Sequence, residues 1–206
     1  MSLKINPKLL GAGLAAPAIL AASFLIIPYE GKVVNKQGYH VAYVDAVGVH
    51  SACYGQTGKD LYGRTIKKGT TYTEEECLKM LSTTIKKFEK EISQVVKVPY
   101  SSPFQQAGVL SFTYNVGVTN LKSSSLLRKL NAKDYGGACG ELLKWIYAKG
   151  IKLKGLETRR YTERQWCLGN VPQEVTLTYN TLMLAMVKQS SKTPTAILDM
   201  NGLSDD

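Results

Sequence analysis

The stretch FLIIPYEGKVVNKQGYHVAYVDAVGVHSACYGQTG, residues 24–58, joins the features that decide the fold and the function of this chain. An uncharged apolar run ends within it at Ile27, and the first acidic residue of the chain, Glu30, follows three residues later. A second carboxylate, Asp45, and a hydroxyl, Ser51, come next. The sequence thus places a candidate catalytic acid directly beside a segment of membrane-like composition.

Patterns downstream of this acid predict an α+β fold with two lobes. Valines and tyrosines alternate with polar residues between residues 31 and 72, which is typical of a small antiparallel sheet. Thr73 and Glu76 form a capping-box pattern before a long amphipathic helix, and Ser102 before Pro103 predicts the start of another. Further signals are a helix cap at Asp134, helix ends at Gly117 and Gly169, and helical segments over 135–150 and 154–169. A small β-containing lobe, a long helix and a helical lobe would leave a cleft between them.

The apolar run is long enough to cross a membrane but only weakly apolar. Residues 9–29 carry no charge, and Lys4 and Lys8 precede them, so the positive-inside rule places the N-terminus in the cytoplasm. The length suits a bilayer span of about 20 residues, but the many alanines and glycines leave only about −3 to −5 kcal/mol of insertion free energy. We interpret residues 1–28 as an uncleaved signal-anchor. A cleaved signal peptide and a buried core helix are the alternatives.

The same signals divide the rest of the chain into two parts. Residues 29–170 contain the sheet and helix patterns and form the predicted globular domain. Residues 171–206 form a C-terminal extension, for which we expect one helix after Pro172 and then a flexible end. No function follows from the extension.

Charge and cysteine content limit the classes of partner. The 26 lysines and arginines against 16 acidic residues give a net charge of +10, which attracts polyanions. The lysines are scattered over helix faces, so a nucleic acid is the least favoured polyanion. An even number of cysteines suggests disulfides in an exported chain, with three possible connectivities, or four reduced thiols in a cytosolic one. The spacings between the cysteines do not match zinc patterns, so we expect no metal and no cofactor. The cysteines are Cys53, Cys77, Cys139 and Cys167.

Glu30 and Asp45 have the residue types that hydrolysis of a glycosidic bond requires. One carboxyl group must stay protonated to donate to the leaving oxygen, and the other must stay ionised to activate water or stabilise the transition state. Glu30 lies beside Ile27 and Tyr29, where burial would favour the neutral form, so it is the candidate acid. Asp45 lies in a glycine-rich turn region. The alternative, a Glu at a helix end and an Asp in a turn without catalytic roles, stays open on this evidence.

Ordered motifs over residues 9–168 resemble the phage-type lysozymes, most of all the membrane-tethered endolysins called signal-anchor-release endolysins. The motifs are YEG, YVDAVGVHSACYGQTGKD, YTEEEC, FTYNVG, SSLLRKLN, YGGACGELLKWIYAKG and KGLETRR. The resemblance implies a lysozyme-like two-lobe fold. It also implies an endolysin with muramidase activity, which hydrolyses the β-1,4 bond between N-acetylmuramic acid and N-acetylglucosamine in peptidoglycan and lyses the host cell.

The family pattern of Glu, eight residues, Asp or Cys, five residues and Thr assigns roles to three positions here. The resemblance implies that Glu30 is the general acid, that Asp45 places the attacking water, and that Ser51 stands where the family has Thr. Fourteen residues separate Glu30 from Asp45, and we expect the extra six to lengthen a hairpin whose turn is residues 35–38. Gln56 stands where many relatives have His.

The resemblance also implies substrate contacts, and the division into lobes suggests a disulfide pairing that the sequence itself does not fix. Tyr114, Asn115 and Gly117 match a segment that faces the cleft in the family, and Gly155 and Arg160 match its KGLxxRR motif; core packing and bracing of the helical lobe are the alternatives. We expect disulfides between Cys53 and Cys77 in the small lobe and between Cys139 and Cys167 in the helical lobe.

Resemblance to the tethered endolysins finally implies a location and a control mechanism. Residues 9–27 would hold the chain in the host inner membrane with its N-terminus in the cytoplasm, dormant, until release delivers a monomeric enzyme to peptidoglycan in the periplasm. Two other functional hypotheses stay open. One is a lytic transglycosylase that needs only Glu30, and the other is a basic, non-enzymatic protein that binds the wall or the membrane.

Overall fold

The computed structural model describes residues 16–45 and 48–190. The predictions made for residues 1–15, including Lys4, Lys8 and the first part of the anchor, and for the flexible end after 190 therefore lie outside the described residues. The helices are α1 (Pro17–Ile26), α2 (Glu74–Ser93), α3 (Pro103–Val116), α4 (Val118–Ser123), α5 (Ser125–Asn131), α6 (Tyr135–Glu141), α7 (Lys154–Cys167) and α8 (Gln173–Ser190). Short 3-10 helices cover Ile27–Tyr29 and Leu142–Lys144.

The small lobe is built from five short strands in two antiparallel sheets, as the alternation of apolar residues predicts. The strands are β1 (His40–Val41), β2 (Tyr43–Val44), β3 (His50–Ala52), β4 (Gln56–Thr57) and β5 (Thr71–Tyr72). Strand β1 pairs with β5, and β2, β3 and β4 form a three-stranded meander. The pairing register places Tyr43 opposite Ser51, and Ser51 opposite Thr57.

The inserted residues form the expected hairpin turn. Asn35 and Gly38 close it, with the Gly38 N–H donating to the Asn35 carbonyl at 3.0 Å. The Asn35 side chain accepts the N–H groups of Gln37 and Tyr39 at 3.1 and 3.0 Å, which replaces the hydrogen bonds that the turn backbone cannot make. Gly38 has a φ of +85°, a conformation that glycine adopts without a steric cost.

Helix starts lie where the sequence predicts them. In α2, the Thr73 side chain accepts the Glu76 N–H and the Glu76 carboxylate accepts the Thr73 N–H, which completes a capping box. Ser102 caps α3 by accepting the Gln105 N–H. Asp134 caps α6 by accepting the Gly137 N–H. Helix α2 begins directly after β5 and packs against α3 and α4, so it connects the two lobes.

Helix α1 lies in the core of the helical lobe. Residues 18–26 are all buried, and α1 packs mainly against α3 and also against α2 and α8. In this structure residues 17–26 therefore form a core helix, which is the alternative that the sequence left open for this part of the apolar run. Across residues 16–45 and 48–190, the helices lack the combination of length and hydropathy that a bilayer crossing requires.

One predicted helix is wrong in its second half. The segment over 135–150 leaves the α-helix at Glu141, continues as the 3-10 turn, and then forms a hairpin of β6 (Tyr147–Ala148) and β7 (Ile151–Lys152). Lys149 and Gly150, both with positive φ, make the two-residue turn. Such a turn suits the right-handed twist of paired strands and ends the helical pattern.

Both predicted disulfides are confirmed. Cys53 is bonded to Cys77 and Cys139 to Cys167, so the first joins the small lobe to α2 and the second joins α6 to α7. The predicted helix of the C-terminal extension is α8. It packs on α1, and its Tyr179 contacts Phe104 of α3 at a ring-centroid distance of 5.0 Å.

Candidate active site

Glu30 lies at the junction of the two lobes. It directly follows the 3-10 turn after α1, and its side chain is 17% exposed. A Cβ atom built on Gly55 would lie 3.0 Å from Glu30 Oε2, so a side chain at that position of the small lobe would crowd this carboxylate. Gly55 also has a φ of +78°, which favours glycine for a second reason.

A buried ion cluster of the helical lobe holds the Glu30 carboxylate. Arg159 Nη1 donates to Glu30 Oε1 at 2.8 Å, and Arg159 Nε donates to Glu163 Oε1 at 3.0 Å. Ser111 completes the cluster: its hydroxyl donates to Glu163 at 2.7 Å and its carbonyl accepts from Arg159 at 3.3 Å. The guanidinium also lies 5.5 Å from the centroid of the Tyr29 ring. Glu30 is therefore in an ion pair, and the apolar surroundings that the sequence suggests are only part of its environment.

The charge state of Arg159 is secure in this cluster. Burial acts to lower the pKa of its guanidinium, but the carboxylates of Glu163 and Glu30 raise that pKa above its ordinary value. Arg159 therefore remains a cation that fixes one oxygen of Glu30 while Oε2 faces Gly55.

Asp45 and Ser51 form the second half of the site on the small lobe. The Ser51 hydroxyl lies 3.5 Å from Asp45 Oδ2, at the outer limit of a hydrogen bond. Asp45 Oδ1 accepts the Val49 N–H at 2.9 Å, and the backbone N–H of Asp45 donates to the Val49 carbonyl at 2.9 Å. The side chain of Asp45 is thus fixed by the turn to which it belongs. Two residues of that turn, 46 and 47, lie outside the described residues.

Tyr43 lies within electrostatic reach of both carboxylates. Burial is the main reason that the pKa of its phenol is raised, and the negative charges of Glu30 and Asp45 raise it further. Tyr43 lies on β2, two residues before Asp45. Its hydroxyl also lies close to Gly31, the residue after Glu30, because a Cβ built on Gly31 would be 3.2 Å from it. The structure therefore brings Glu30, Asp45 and Ser51 to one site around this phenol.

Tyr114 links the lobes beneath this site. Its hydroxyl donates to the Tyr54 carbonyl at 2.5 Å and accepts from Gln56 Nε2 at 2.6 Å, and Gln56 Oε1 accepts from the Thr84 hydroxyl at 2.6 Å. Burial, and after it the charge of Glu30, raises the pKa of Tyr114, so the phenol stays neutral and can donate. Gln56 thus acts as an amide bridge between β4, α2 and α3.

The other predicted contact residues are divided between the interior and the surface. Arg160 is completely buried; it donates to Glu163, to Asn115 Oδ1 and, at 3.1 Å, to the Trp145 carbonyl. This arrangement is the bracing alternative for Arg160, whereas Asn115 is exposed and uses its Oδ1 for Arg160. Gly117, at a φ of +83°, ends α3, and Gly155 is exposed in the first turn of α7; a Cβ at either would contact nothing within 4 Å.

Sequence patterns missed the residue that holds the candidate acid. Arg159, the neighbour of the predicted Arg160, contacts Glu30, although the two lie 129 positions apart in the sequence. A usable signal exists, because Glu163 lies four residues after Arg159 and three after Arg160, the spacings that form ion pairs along a helix. Possible metal ligands within the described residues gather in one group, His40 with Cys53 and Cys77, and this group does not include the two carboxylates.

Two lobes joined by a long helix, with a Glu and an Asp at their junction, define the lysozyme-like class of protein. A family model described as phage lysozyme matches residues 36–163. The chain is 41% identical over 157 residues to a protein of Bacteriophage PS34 named SAR-endolysin, which covers 76% of this chain and 90% of that relative. A SAR-endolysin of Enterobacteria phage P21 is 39% identical over 161 residues, or 78% of this chain and 94% of the relative. The chain belongs to the phage lysozyme family.

Solved structures agree with this assignment. A point mutant of P22 lysozyme superimposes with a TM-score of 0.63 at 30% identity, covering 71% of this chain and 94% of that chain. The endolysin from Escherichia coli O157:H7 phage FAHEc1 gives a TM-score of 0.64 at 26% identity, covering 74% of this chain and 94% of that chain. The lysozyme-like fold predicted from the sequence is confirmed.

Proposed function

We propose that this protein is an endolysin with muramidase activity on bacterial peptidoglycan. The substrate bond is the β-1,4 linkage between N-acetylmuramic acid and N-acetylglucosamine. The observation that carries the proposal is the placement of two differently held carboxylates, Glu30 and Asp45, around one phenol at the junction of the lobes. Membership of the phage lysozyme family supports the same substrate class.

The proposed reaction is a single displacement that inverts the anomeric centre. The cycle starts from enzyme in which Glu30 carries a proton on one oxygen while the other accepts from Arg159. Glu30 donates that proton to the glycosidic oxygen as the bond to the muramic acid carbon breaks, and it takes up another from solvent before the next turnover. Asp45, with the Ser51 hydroxyl beside it, places a water on the opposite face and accepts its proton as the water adds to the oxocarbenium-like carbon. Arg159 keeps the Glu30 carboxyl group in a fixed orientation, which lowers the entropic cost of proton transfer.

The proposal assigns direct contacts with the sugar to two glycines. Gly117 and Gly155 have free space at the Cβ position, so a glycan chain can approach their backbone. Tyr114 supports the site through its bridge to Gln56, and Arg160 braces the helical lobe from inside by donating to Asn115. In this proposal Tyr114 and Arg160 act on substrate binding through the lobe geometry and make no direct contact with the substrate, whereas the exposed Asn115 can also contact the glycan.

Replacing Glu30 by glutamine tests the proton donor. Glutamine keeps the size of the side chain and its oxygen can still accept from Arg159, so the fold should persist while proton donation is lost. We expect the Glu30→Gln protein to clear a suspension of purified peptidoglycan about 10² to 10⁴ times more slowly than the wild type. The matched control is Glu157→Gln on the exposed face of α7, which should clear at the wild-type rate. Wild-type clearing by a folded Glu30→Gln protein contradicts the proposal.

The proposal includes membrane control of the enzyme. The apolar run over residues 9–27 and relatives named SAR-endolysin support an anchor in the host inner membrane, with the N-terminus in the cytoplasm. Residues 18–26 are buried in the folded lobe, and the same residues cannot lie in a bilayer at the same time. The tethered chain therefore lacks its core helix, holds Glu30 three residues from the lipid, and is dormant until release into the periplasm.

Strengthening the anchor tests this control. Replacing Gly11 and Ala15 by leucine adds apolar side chains to the run and should favour the bilayer by about 1 kcal/mol. We expect delayed lysis in cells that express the double variant at the wild-type level. Purified, detergent-free protein should clear peptidoglycan at the wild-type rate, which separates anchoring from catalysis. Unchanged lysis timing contradicts membrane control and leaves the muramidase proposal intact.

A further inference from the structure

A buried histidine in the small lobe has a nitrogen with no partner. His40 is 2% exposed, and its Nε2 lies 2.6 Å from Glu74 Oε2. Its Nδ1 has no hydrogen-bond partner. Buried polar atoms are nearly always paired, so an unpaired ring nitrogen calls for a chemical explanation. The catalytic site does not supply one, because His40 contacts neither carboxylate of that site.

Two sulfur atoms lie against this imidazole. One ring nitrogen of His40 and the sulfurs of Cys53 and Cys77 all lie within 4.8 Å of one another. Both cysteines are almost completely buried, and in the folded protein they form a disulfide. Every chain is made with thiols, however, so a reduced chain with this fold would have two thiols beside the His40 imidazole.

We propose that the reduced chain holds Zn²⁺ at His40, Cys53 and Cys77. Two thiolates and one imidazole are preferred zinc ligands, and a water can complete four-coordination. Binding involves no electron transfer: each thiol loses its proton to solvent as its sulfur binds the metal. The spacing of the cysteines gives no hint of this site. Its third ligand, His40, lies on β1, which pairs with β5 just before the helix that carries Cys77.

The surroundings of His40 match those of a metal-bound histidine. Glu74 accepts from Nε2, which fixes the tautomer so that Nδ1 presents a lone pair; a carboxylate behind the histidine is the usual arrangement at zinc sites. The Tyr54 hydroxyl donates to the other oxygen of Glu74 and holds it in place.

The zinc form has a defined consequence for the fold. A metal that holds Cys53 beside Cys77 keeps these thiols from pairing with Cys139 or Cys167 until an oxidant reaches them. A disulfide oxidant then removes two electrons from the two thiolates. The two sulfurs form a bond, the oxidant takes up the two electrons with two protons from solvent and becomes a dithiol, and Zn²⁺ is released. The metal site is thus a temporary holder for one native disulfide, and it makes no contribution to the cleavage of peptidoglycan.

Metal titration of the reduced protein tests the proposal. A background with Cys139→Ser and Cys167→Ser leaves Cys53 and Cys77 as its two thiols. After reduction with a phosphine, Zn²⁺ is titrated against a chromophoric chelator, and Co²⁺ is titrated in parallel to record its absorption. We expect one equivalent of metal and a thiolate-to-cobalt charge-transfer band. The complementary variant, with Cys53→Ser and Cys77→Ser, should show neither.

Two variants distinguish a folded zinc site from two thiols that bind zinc in an unfolded chain. Glu74→Gln should weaken zinc binding about 10- to 100-fold, and His40→Gln should weaken it more and change the cobalt spectrum. The matched control is Glu75→Gln, in the same helical turn but in an exposed pair with Lys79, which should leave the affinity unchanged. Absence of stoichiometric binding overturns the proposal. So does binding that is equally tight in the wild type, His40→Gln and Glu74→Gln, since thiols in an unfolded chain would behave in that way.

Discussion

The two carboxylates of the site are held in opposite ways. Glu30 is fixed by Arg159, a residue 129 positions away, within a buried cluster of the helical lobe. Asp45 is fixed by its own turn, through the N–H of Val49 and the hydroxyl of Ser51, all within six residues. The candidate proton donor therefore depends on the helical lobe, including α1, whereas these two contacts of the second carboxylate are local. Displacing α1 would disturb the acid and leave the two local contacts of Asp45 in place.

The largest expected effect comes from breaking the cluster behind Glu30. Glu163 is completely buried and pairs with both Arg159 and Arg160, so Glu163→Leu leaves two buried guanidinium groups without their shared carboxylate. We expect the free energy of unfolding to fall by about 3–5 kcal/mol, measured by urea denaturation of the oxidised protein. Peptidoglycan clearing should fall as well, because Arg159 then no longer holds Glu30 in place.

A surface variant of the same helix is the control for this loss. Glu157 pairs with Lys152 in an exposed ion pair, so Glu157→Leu should cost at most about 1 kcal/mol. Equal losses for Glu157→Leu and Glu163→Leu would show that the cluster does not hold the lobe in the way described.

A smaller effect on stability is expected for Asp45, the carboxylate of the small lobe. Asp45→Asn keeps an oxygen that can accept the Val49 N–H, so the turn and the unfolding free energy should change little. The loss of the charge that activates water should slow peptidoglycan clearing about 100-fold. A combined Glu30→Gln and Asp45→Asn protein should be only slightly slower than Glu30→Gln alone, because the two groups act in one step. Wild-type clearing by Asp45→Asn would remove this residue from the mechanism.

The smallest expected effect concerns Glu141, a carboxylate outside the candidate active site. Lys144, Ser125 and Lys129 lower the pKa of Glu141 from 4.5 to about 2. A lowered pKa contributes stability that is fully present above the unfolded-state value and is lost as the pH falls towards 2. In urea denaturation between pH 5 and pH 2.5, we therefore expect wild type and Glu141→Gln to converge in unfolding free energy as the pH falls. A constant difference would contradict this assignment. High salt should reduce the effect, because Lys144 is exposed.

Sequence patterns predicted the features whose causes are local. The caps at Thr73, Ser102 and Asp134 depend on residues three positions apart, and each is present in the structure. The turn at residues 35–38 is likewise a local matter of Asn and Gly chemistry. Both disulfide pairs match the expectation of one pair within each lobe, although the sequence alone leaves three connectivities open.

Contacts between distant parts of the chain were beyond the reach of these patterns. The KGLETRR motif marks an important arginine pair, but only the packing of α7 against α3 decides that Arg159 faces Glu30 and that Arg160 faces Asn115. The hairpin after Glu141 was missed because its apolar residues also fit helical spacing, although Lys149 and Gly150 signal a turn. The unpaired Nδ1 of His40 is a property of burial, which periodicity does not describe.

Cleavage of purified peptidoglycan in ¹⁸O-labelled water tests the central claim most directly. If Glu30 protonates the leaving oxygen while Asp45 directs water to the other face, mass spectrometry should find one ¹⁸O atom at each new muramic acid reducing end. The first product detected by NMR should be the α-anomer, as inversion requires. Anhydro-muramic ends without the label would contradict the account, because they would mean that the sugar closes on its own hydroxyl and that the enzyme is a transglycosylase.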